Sequence, residues 1–385
     1  MKRLAIVVSH PIQYYAPVFK LLTERAYLQV KVFYTLGDSY ILKFDPGFGT
    51  TIEWDIPLLT GYEYEFLKNT AKQPGSHHFN GIINSEAIER IENYNPDAIL
   101  IYGWSYKSHL RILRYFKNKK TILFRGDSNL IDDIPDWKNA LKSVLLKWVY
   151  SHVDKALYVG TANKQYFKKY GLKEHQLQFA PHSVDNRRFS EDRSSEAKAL
   201  RQRLGIKEHE ILLLFAGKLE PKKNPEFLLS AFDQLDNVSL HLLFVGNGVL
   251  EKSIKAKSFR LKSSKRIHFI DFQNQQKMPV IYQASQLFCL PSYGPGETWG
   301  LAVNEAMAAG KAVLVSNKVG CAIDLVKDNV NGKIFRSEDI HELQKALQIL
   351  TASPTDLRKM GGASSEIITE WNFYHQVKNI EELIV

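Results

Sequence analysis

The 385-residue sequence has few cysteines, few low-complexity runs and no long apolar segment. Its two cysteines, Cys289 and Cys321, form no Cys-x-x-Cys pair, and Cys289 lies inside an apolar run. A small core cysteine of this kind suits a protein of the reducing cytoplasm. Because no stretch of about 18 uncharged apolar residues occurs, we expect no membrane-spanning helix.

The N-terminus has basic residues before an apolar run, in the segment Met1–Ser9, as a signal peptide does. The run is shorter than a signal requires and passes at once into His10 and Pro11, so we interpret it as the first buried strand. Pro11 then suits the first position of a following helix.

The chain is longer than one ordinary core, so two domains are expected. Short apolar runs alternate with helical patterns, which predicts an α/β fold of two Rossmann-like domains, each with a parallel sheet covered on both faces. Ligands of such sheets bind beyond the carboxyl ends of the strands, so we expect the site in the cleft between the domains. The predicted strands are 4–9, 30–35, 98–103, 121–124, 156–160, 211–216, 240–245, 267–272, 287–290 and 312–316.

The most informative stretch runs from Ser292 to Gly310 and carries two glutamates eight residues apart, Glu297 and Glu305. An apolar run precedes it, a glycine-rich turn follows, and small helix-forming residues continue to Gly310. A strand, a glycine turn and a helix start together form an anion site, because unpaired amides there carry the positive end of the helix dipole. Carboxylates beside such a site suit sugar and ribose hydroxyls. Taken singly, Glu297 is better interpreted as a loop charge and Glu305 as a solvated helix charge; the whole stretch favours the anion site.

Glu297 and Glu305, with seven residues between them, resemble the EX7E signature of family 4 glycosyltransferases, which are retaining enzymes of the GT-B fold. The resemblance is strong over residues 158–335 and weaker before them. Four further segments agree with the family's order, namely 215–224 with two basic residues five apart, the turn 243–248, the domain crossing 180–189 and the segment 319–335.

Lys218 and Lys223 follow an apolar strand, where cations face the ligand crevice of a doubly wound sheet. Two cations suit a diphosphate whose charge grows as the glycosidic bond breaks. The family usually has arginine at Lys218; lysine keeps the charge without the bidentate fork. The turn at Gly246 does not complete a dinucleotide fingerprint, because Glu251 stands where glycine is required, which argues against a dehydrogenase.

The resemblance implies that Glu305 holds the ribose hydroxyls and Glu297 the donor sugar, while Lys218 and Lys223 hold the diphosphate. No Asp-x-Asp triplet occurs, so we expect no metal and no cofactor besides the nucleotide-sugar substrate. In the family's mechanism the leaving phosphate helps to take the acceptor proton. The other donor-binding candidates are Gly300, Leu301, Thr298, Gly246 and Phe272.

The first domain is expected to bind the acceptor. His10 ends the first strand, and Arg125 with Asp127 ends another, so these residues are positional candidates. Many family members carry a histidine on the strand that ends here at Arg125, but this sequence has none. Gln13 is a further candidate, and Trp104 suits either stacking on a sugar or anchoring a loop.

Residues 101–173 contain 15 Lys/Arg against 5 Asp/Glu, a net charge of +10 that equals the net charge of the whole chain. Within them Trp137, Leu141, Val144, Leu145 and Trp148 recur at helical spacing, between lysines that include Lys138. Core packing of an amphipathic helix is the first interpretation. The alternative is contact with anionic lipid, which would place the protein in the cytoplasm on the inner membrane face. No nucleic-acid module is visible.

Together these features predict a retaining glycosyltransferase that uses a UDP- or GDP-sugar and a glycan or lipid-linked acceptor in bacterial surface polysaccharide or glycoconjugate synthesis. A GT-B sugar-nucleotide epimerase and a non-catalytic nucleotide-sugar-binding protein remain alternatives. The predicted domains are 1–189 for the acceptor and 190–370 for the nucleotide sugar, with a polar linker at 186–197. The final helix, in 371–385, is expected to return to the first domain.

Overall fold

The computed structural model describes the chain except for residues 39–42, 46–49 and 134–136, and it leaves the side chains of 43–45, 50–52 and 137–139 undescribed. The described chain divides into two compact units. Unit 1 comprises residues 1–43, 56–182 and 373–385, and unit 2 comprises residues 44–55 and 183–372.

Strands and helices alternate along the described chain. The strands are β1 (Lys2–Val8), β2 (Leu28–Tyr34), β3 (Lys43–Asp45), β4 (Thr50–Ile52), β5 (Glu63–Phe66), β6 (Ala98–Tyr102), β7 (Thr121–Arg125), β8 (Lys155–Tyr158), β9 (Leu177–Phe179), β10 (Ile211–Ala216), β11 (Leu240–Val245), β12 (Ile267–Ile270), β13 (Leu287–Leu290), β14 (Ala312–Ser316) and β15 (Gly332–Phe335). The helices are α1 (Ala16–Glu24), α2 (Ala87–Tyr94), α3 (Lys107–Phe116), α4 (Trp137–Tyr150), α5 (Thr161–Lys169), α6 (Asn186–Ser190), α7 (Ser194–Arg203), α8 (Pro225–Asp233), α9 (Glu251–Ser258), α10 (Met278–Ala284), α11 (Leu301–Ala308), α12 (Ala322–Leu325), α13 (Ile340–Leu350), α14 (Pro354–Ile367) and α15 (Phe373–Glu381).

Unit 1 is built on a parallel sheet with the order β5-β2-β1-β6-β7-β8-β9. Successive residues of a strand point to opposite faces, and in β1 both faces are buried. Leu4 and Ile6 lie in one core cluster, whereas Ala5 and Val7 lie in the other. This burial explains why the strand is a continuous apolar run in the sequence.

Unit 2 is built on a second parallel sheet, with the order β12-β11-β10-β13-β14-β15. Phe215 of β10 and Phe244 of β11 lie in its core, and helices such as α8 and α13 pack on the sheet. Every apolar run that the sequence predicts as a strand coincides with one of the strands. The prediction of two Rossmann-like domains with parallel sheets is therefore confirmed.

Each sheet changes its direction of winding at one strand pair. The chain proceeds from β1 to β2 on one side, and β6 adds on the other side of β1. In unit 2 the same reversal lies between β10 and β13, which flank the switch point. Connections leave such a pair in opposite directions and open a crevice at the carboxyl ends of the strands, which is where ligands bind in this class of sheet.

Helix α4 contradicts the prediction that its apolar stripe packs into the core. Leu141, Val144, Leu145 and Trp148 are exposed, with relative exposures of 64%, 70%, 45% and 41%. The helix instead buries its opposite face, through Leu146, Val149 and Tyr150. The side chains of Trp137 and Lys138 lie outside the described residues. We call the four exposed residues the α4 stripe.

Two local predictions are wrong. Pro11 does not begin a helix, because a turn follows β1 and α1 starts only at Ala16, where Pro17 lies in the first turn. Residues 186–197 are not an extended linker but contain α6 and the start of α7. Asp185 caps α6 by accepting a hydrogen bond from the Arg188 amide at 3.1 Å, and buried Phe189 anchors it.

The final helix, α15, packs on α1 within unit 1. The Arg25 guanidinium donates hydrogen bonds from Nε to Oε1 and from Nη2 to Oε2 of Glu381, both at 3.0 Å. Bidentate arginine–carboxylate pairs of this type fix orientation as well as distance. Among the described residues, no helix combines the length and apolar character that a membrane crossing requires.

Candidate functional site

The loops after β10 and β13 bring Lys223 and Glu297 together at the switch point of unit 2. The Lys223 ammonium donates a hydrogen bond of 2.7 Å to Glu297 Oε2, and the Ser292 hydroxyl donates one of 3.1 Å to the same oxygen. The two charged side chains are only 15% and 8% exposed. Burial of a carboxylate is costly unless it is paired, so this contact fixes both groups in one arrangement.

Gly300 allows the chain to turn from the loop into α11. Its φ is +96°, and an added Cβ would lie 2.8 Å from Cγ1 of Val319. The segment after β14 holds the loop in place, because the Gly320 amide donates to the Glu297 carbonyl and the Cys321 amide to the Trp299 carbonyl. The positive end of α11 therefore starts beside the paired Lys223 and Glu297.

Glu305 is buried within α11, with 4% exposure, so it is not a solvated surface charge. The hydroxyl of Tyr282, on α10, donates a hydrogen bond of 2.8 Å to Glu305 Oε2. A buried carboxylate that is oriented by a tyrosine keeps its remaining acceptor sites in fixed directions. Tyr282 was not predicted as a site residue, because a tyrosine inside an apolar helix indicates only core packing.

The turn after β11 touches the turn after β10. Gly246 has a φ of +124°, and a Cβ there would lie 2.3 Å from the carbonyl oxygen of Gly217. Asn247 accepts a hydrogen bond of 2.6 Å from the Phe272 amide, which ties the loop after β12 to the same edge. The ring of Phe272 also contacts Trp54 at 6.3 Å between centroids. Gly246 and Phe272 thus belong to the ligand edge of this sheet.

Lys218 and Thr298 are half-buried in the same two loops, after β10 and β13. Leu301 is the first residue of α11. Lys222, which the sequence analysis did not assign to the site, lies 3.6 Å from Glu220. The donor-side candidates predicted from the sequence therefore lie in loops or at the start of α11, at the carboxyl edge of the unit 2 sheet, except for Glu305, which lies within α11.

Unit 1 contains a cavity of about 290 Å³ at the carboxyl ends of its own strands. His10, Arg125 and Asp127 line it, whereas Gln13 and Trp104 are not among its lining residues. Gln13 is half-buried in the turn before α1, and Trp104 packs against the core of unit 1. The Ser9 hydroxyl lies 3.0 Å from Nδ1 of His10.

Arg125 is almost fully buried and holds the chain that follows β9. Its guanidinium donates hydrogen bonds to the carbonyls of Ala180, at 2.7 Å, and Pro181, at 3.1 Å. These contacts place His182 on the cavity wall, with Nε2 3.8 Å from Oδ2 of Asp127. Burial lowers the pKa of His182, and Asp127 opposes that shift. His182 was not predicted although it lies in the segment 180–189, because a single histidine after a strand carries no signal of its own in the sequence.

The two units offer different chemistry. Unit 2 combines an ammonium group and the start of a helix, which suit an anion, with two oriented carboxylates, which suit hydroxyl groups. Unit 1 offers a polar cavity with aromatic walls. In the described part of the chain no group of three or more histidine, cysteine, aspartate or glutamate side chains is arranged to hold a metal ion.

Residues 196–366 match the family model described as glycosyl transferases group 1. This segment contains the loops of Lys218, Glu297 and Glu305. Two curated relatives are D-inositol 3-phosphate glycosyltransferases. That of Nocardia farcinica is 28% identical over 207 residues, covering 51% of this chain and 45% of the relative. That of Segniliparus rotundus is 30% identical over 200 residues, covering 50% and 43%. The chain thus spans less than half the length of these relatives.

Solved structures match the whole chain. The Anabaena Alr3699/HepE complex with UDP and glucose has a TM-score of 0.72 at 16% identity, covering 100% of this chain and 99% of the other. The sucrose-phosphate synthase of Thermosynechococcus elongatus has a TM-score of 0.74 at 17% identity, covering 100% and 98%. Identities this low establish the fold alone. They confirm the predicted GT-B fold, and residues 196–366 have the sequence signature of group 1 glycosyl transferases.

Proposed function

We propose that the protein is a retaining glycosyltransferase that moves a sugar from a UDP- or GDP-sugar to a glycan or lipid-linked acceptor, in bacterial surface polysaccharide or glycoconjugate synthesis. The contact between Lys223 and Glu297 carries this proposal. It joins a cation and a carboxylate at the switch point of unit 2, inside the segment that matches the group 1 family model. A nucleotide sugar needs both groups, one for its diphosphate and one for its hydroxyls.

In this proposal Glu305 accepts hydrogen bonds from the ribose hydroxyls, and Glu297 contacts the donor sugar. Lys218, Lys223 and the amides at Gly300 and Leu301 hold the diphosphate. These positive groups stabilise the charge that develops on the leaving phosphate, which is where preorganised electrostatics accelerates transfer most. Transfer on the front face would retain the anomeric configuration, and the leaving phosphate would help to take the acceptor proton.

A UDP-sugar is the first donor to test, because Alr3699/HepE, which shares the fold, has been crystallised with UDP and with UDP-glucose. The curated relatives are named for D-inositol 3-phosphate, a hydroxylated ring that carries a phosphate, which makes hydroxylated rings the first acceptors to test. A thermal-shift screen of UDP, GDP and ADP with their glucose conjugates tests the donor. A ligand at 100 times its dissociation constant adds about 2.7 kcal/mol to the unfolding free energy.

We expect one nucleotide series to raise the melting temperature. Lys223→Ala should reduce that rise, whereas Lys222→Ala serves as the matched control, since Lys222 lies one residue away and pairs with Glu220 at the surface. A melting temperature that no nucleotide changes would contradict the donor assignment.

We also propose that transfer requires no metal ion, because lysines and helix amides supply positive charge at the diphosphate. Turnover should then persist in EDTA at the rate seen before chelation. Loss of turnover in EDTA, with recovery on addition of Mn²⁺ or Mg²⁺, would contradict this part of the proposal.

The acceptor is proposed to lie at an anionic membrane surface, on the cytoplasmic side, with residues 101–173 of unit 1 in peripheral contact. The α4 stripe supports this partner: four apolar side chains at spacings of three and four residues face away from the core. An exposed apolar face of this kind marks an interaction surface. Trp148 has the amphipathic ring that is enriched at membrane interfaces.

The basic residues beside the α4 stripe favour an anionic lipid surface over a second protein as the partner of this face. Lys142 and Lys147 are exposed on α4 beside the stripe, and Arg111 and Arg114 are exposed on α3. The Arg114 guanidinium lies 5.6 Å from the centre of the Trp148 ring, so α3 and α4 present charge and apolar surface together. Each basic residue near an anionic bilayer contributes about 1 kcal/mol to the free energy of membrane binding. A few such residues together therefore suffice for reversible attachment.

Sedimentation with vesicles tests the membrane contact. The protein should sediment with phosphatidylglycerol-containing vesicles at low salt, but not at high salt or with phosphatidylcholine alone. Val144→Glu and Lys142→Glu/Lys147→Glu should each weaken sedimentation. Phe259→Glu, at another exposed apolar side chain, and Lys252→Glu/Lys262→Glu, at exposed lysines of unit 2, are the matched controls. Equal sedimentation of variants and controls would exclude α4 as the contact face.

A further inference from the structure

The cavity of unit 1 has a polar wall with two incompletely bonded groups. The hydroxyl of Tyr102 and Nε of Arg125 are buried and have no hydrogen-bond partner within the described residues. Both side chains line the cavity, and both are more than nine-tenths buried. Buried polar groups are ordinarily bonded, so a pair of unbonded groups around one cavity points to a polar ligand.

The same wall carries a charged group that faces the cavity opening. Asp127 is nearly half exposed, while His182 behind it is buried, and 3.8 Å separates Oδ2 from Nε2. The chain at His182 cannot move freely, because the buried Arg125 guanidinium binds the two preceding carbonyls. His182 is therefore a fixed polar group against which the Asp127 carboxylate can be oriented.

Among the described residues, the wall carries one cation and one anion, Arg125 and Asp127, so it has no excess of positive charge with which to bind an anionic ligand. Two nitrogens of the Arg125 guanidinium, which lies on the wall, already donate hydrogen bonds to backbone carbonyls. Asp127 presents a carboxylate, which accepts hydrogen bonds and repels phosphate. The rings of Tyr15 and Tyr102, 4.7 Å apart, and of Tyr106 form apolar parts of the wall. Carboxylate, hydroxyl and aromatic groups together are the surface that an uncharged hydroxylated ring requires.

We propose that this cavity binds an uncharged sugar or cyclitol ring of the acceptor, with Asp127 accepting a hydrogen bond from a ring hydroxyl and His182 acting as the positioning residue for Asp127. The proposal rests on the glycosyltransferase function proposed above, since it names the acceptor chemistry of unit 1. It adds His182, which stands outside the acceptor candidates that the sequence predicts, and it specifies that the recognised ring carries no phosphate at this subsite.

Saturation-transfer NMR on the full chain tests the proposal, with methyl α-D-glucopyranoside, methyl α-D-mannopyranoside and myo-inositol as neutral probes and glucose 6-phosphate as the anionic probe. At least one neutral probe should receive saturation from the native protein, and glucose 6-phosphate should receive less than methyl α-D-glucopyranoside. Asp127→Ala should abolish the signal.

His182 is tested by two variants of different chemistry. Glutamine can place an amide N–H near the position of imidazole Nε2, so His182→Gln should retain more than half of the signal. His182→Leu fills similar space without a donor and should lose at least four-fifths of it. If His182 had only a structural role, both variants would lose the saturation-transfer signal to the same extent. The melting temperature of each variant would then fall in proportion to that loss.

The melting shift produced by UDP is recorded for every variant and separates the two proposals. The subsite proposal predicts the same UDP shift in Asp127→Ala, His182→Leu and the native protein. If UDP produced no shift but the neutral probe bound as described, the donor assignment would fail and the subsite would stand. Absence of signal from all neutral probes, or an unchanged signal in Asp127→Ala, would overturn the subsite.

Discussion

Glu297 and Glu305 are separated by eight positions in the sequence but lie in different surroundings. Glu297 is held by an ammonium and a hydroxyl, at 2.7 and 3.1 Å, whereas Glu305 is held by a tyrosine hydroxyl at 2.8 Å. The two carboxylates thus differ in the partner that orients them, an ammonium group for Glu297 and a tyrosine hydroxyl for Glu305. Different effects are therefore expected when each is removed.

Glu305→Ala should weaken binding of the preferred free nucleotide by roughly 1.5–3 kcal/mol, because a charged acceptor for the ribose hydroxyls is lost. Isothermal titration calorimetry measures the change. Tyr282→Phe is the matched control, since it leaves the carboxylate in place and removes only the donor that orients it; a smaller loss is expected. Nucleotide affinity that is unchanged in Glu305→Ala would remove Glu305 from the donor site.

His109 makes stability depend on pH. It is fully buried, with Nε2 2.8 Å from the Thr35 hydroxyl and Nδ1 3.0 Å from the Gly103 carbonyl. Burial lowers its pKa to about 4, against a usual value near 6.5. The unfolded chain therefore binds a proton on this histidine between pH 6.5 and 4 while the folded chain does not, and the free energy of unfolding falls as the pH falls through that window.

The lowered pKa of His109 should reduce the free energy of unfolding by up to about 3 kcal/mol between pH 6.5 and 4. Urea unfolding at pH 7.5, 6 and 5 follows it. His109→Asn removes the titrating group, so its unfolding free energy should vary less over this range than that of the native protein. Equal slopes for the two proteins would show that His109 does not contribute.

Sequence spacing could predict candidate residues whose partners lie in the same motif or in a neighbouring loop. Lys223 and Glu297 were both predicted for the donor site, and the fold brings them into contact. Tyr282 and His182 were not predicted, because their importance comes only from the chains that fold against them. A tyrosine in an apolar helix and a histidine after a strand have no periodic signal of their own.

Among the elements, the turns after β10 and β11 are tightly constrained against each other. Gly246 has a φ of +124°, and its Cα faces the carbonyl of Gly217 so closely that a Cβ would lie at 2.3 Å. Backbone, unlike a flexible side chain, cannot move aside without shifting the strand behind it. The glycine is therefore required by the fold of this carboxyl edge of the unit 2 sheet.

Gly246→Ala should lower the free energy of unfolding by roughly 2–4 kcal/mol, from backbone strain and a steric clash. Gly362→Ala is the matched control in the same unit. Gly362 lies within α14 with open space around its Cα, and alanine there should raise stability by about 0.5–1 kcal/mol. Chemical denaturation of the three proteins measures both changes. A tolerated alanine at position 246 would disprove the close approach of the two turns.

The strands of the sheet interiors were predictable and the edge strands were less so. Interior strands such as β1 and β10 are buried on both faces and are continuous apolar runs. Among the edge strands β12 was predicted, whereas β5, β9 and β15 are short and partly exposed and lack that signal. Helix α4 was misjudged because helical periodicity shows that an apolar stripe exists but not whether the core or solvent lies against it.

At the scale of the whole molecule, topology explains why the site residues lie at the carboxyl edges of the two sheets. Winding reverses between β1 and β6 in unit 1 and between β10 and β13 in unit 2. The alternation of strands and helices predicts two such sheets, and right-handed crossovers then place ligands at the reversal. The packing of α15 against α1 is a long-range pairing through Arg25 and Glu381, which no local pattern in the sequence specifies.

The proposed function requires that the carboxyl edge of the unit 2 sheet break the bond between a sugar and a nucleoside diphosphate. Nucleotide release from the preferred nucleotide sugar, measured by chromatography with and without neutral glycoside acceptors, tests it most directly. The native protein should release nucleotide, faster when an acceptor is present. Glu297→Gln should release it at least tenfold more slowly while still binding free nucleotide. Conversion of the donor to another nucleotide sugar without release of nucleotide would contradict the proposed transferase function. Binding of the donor without any release of nucleotide would also contradict it.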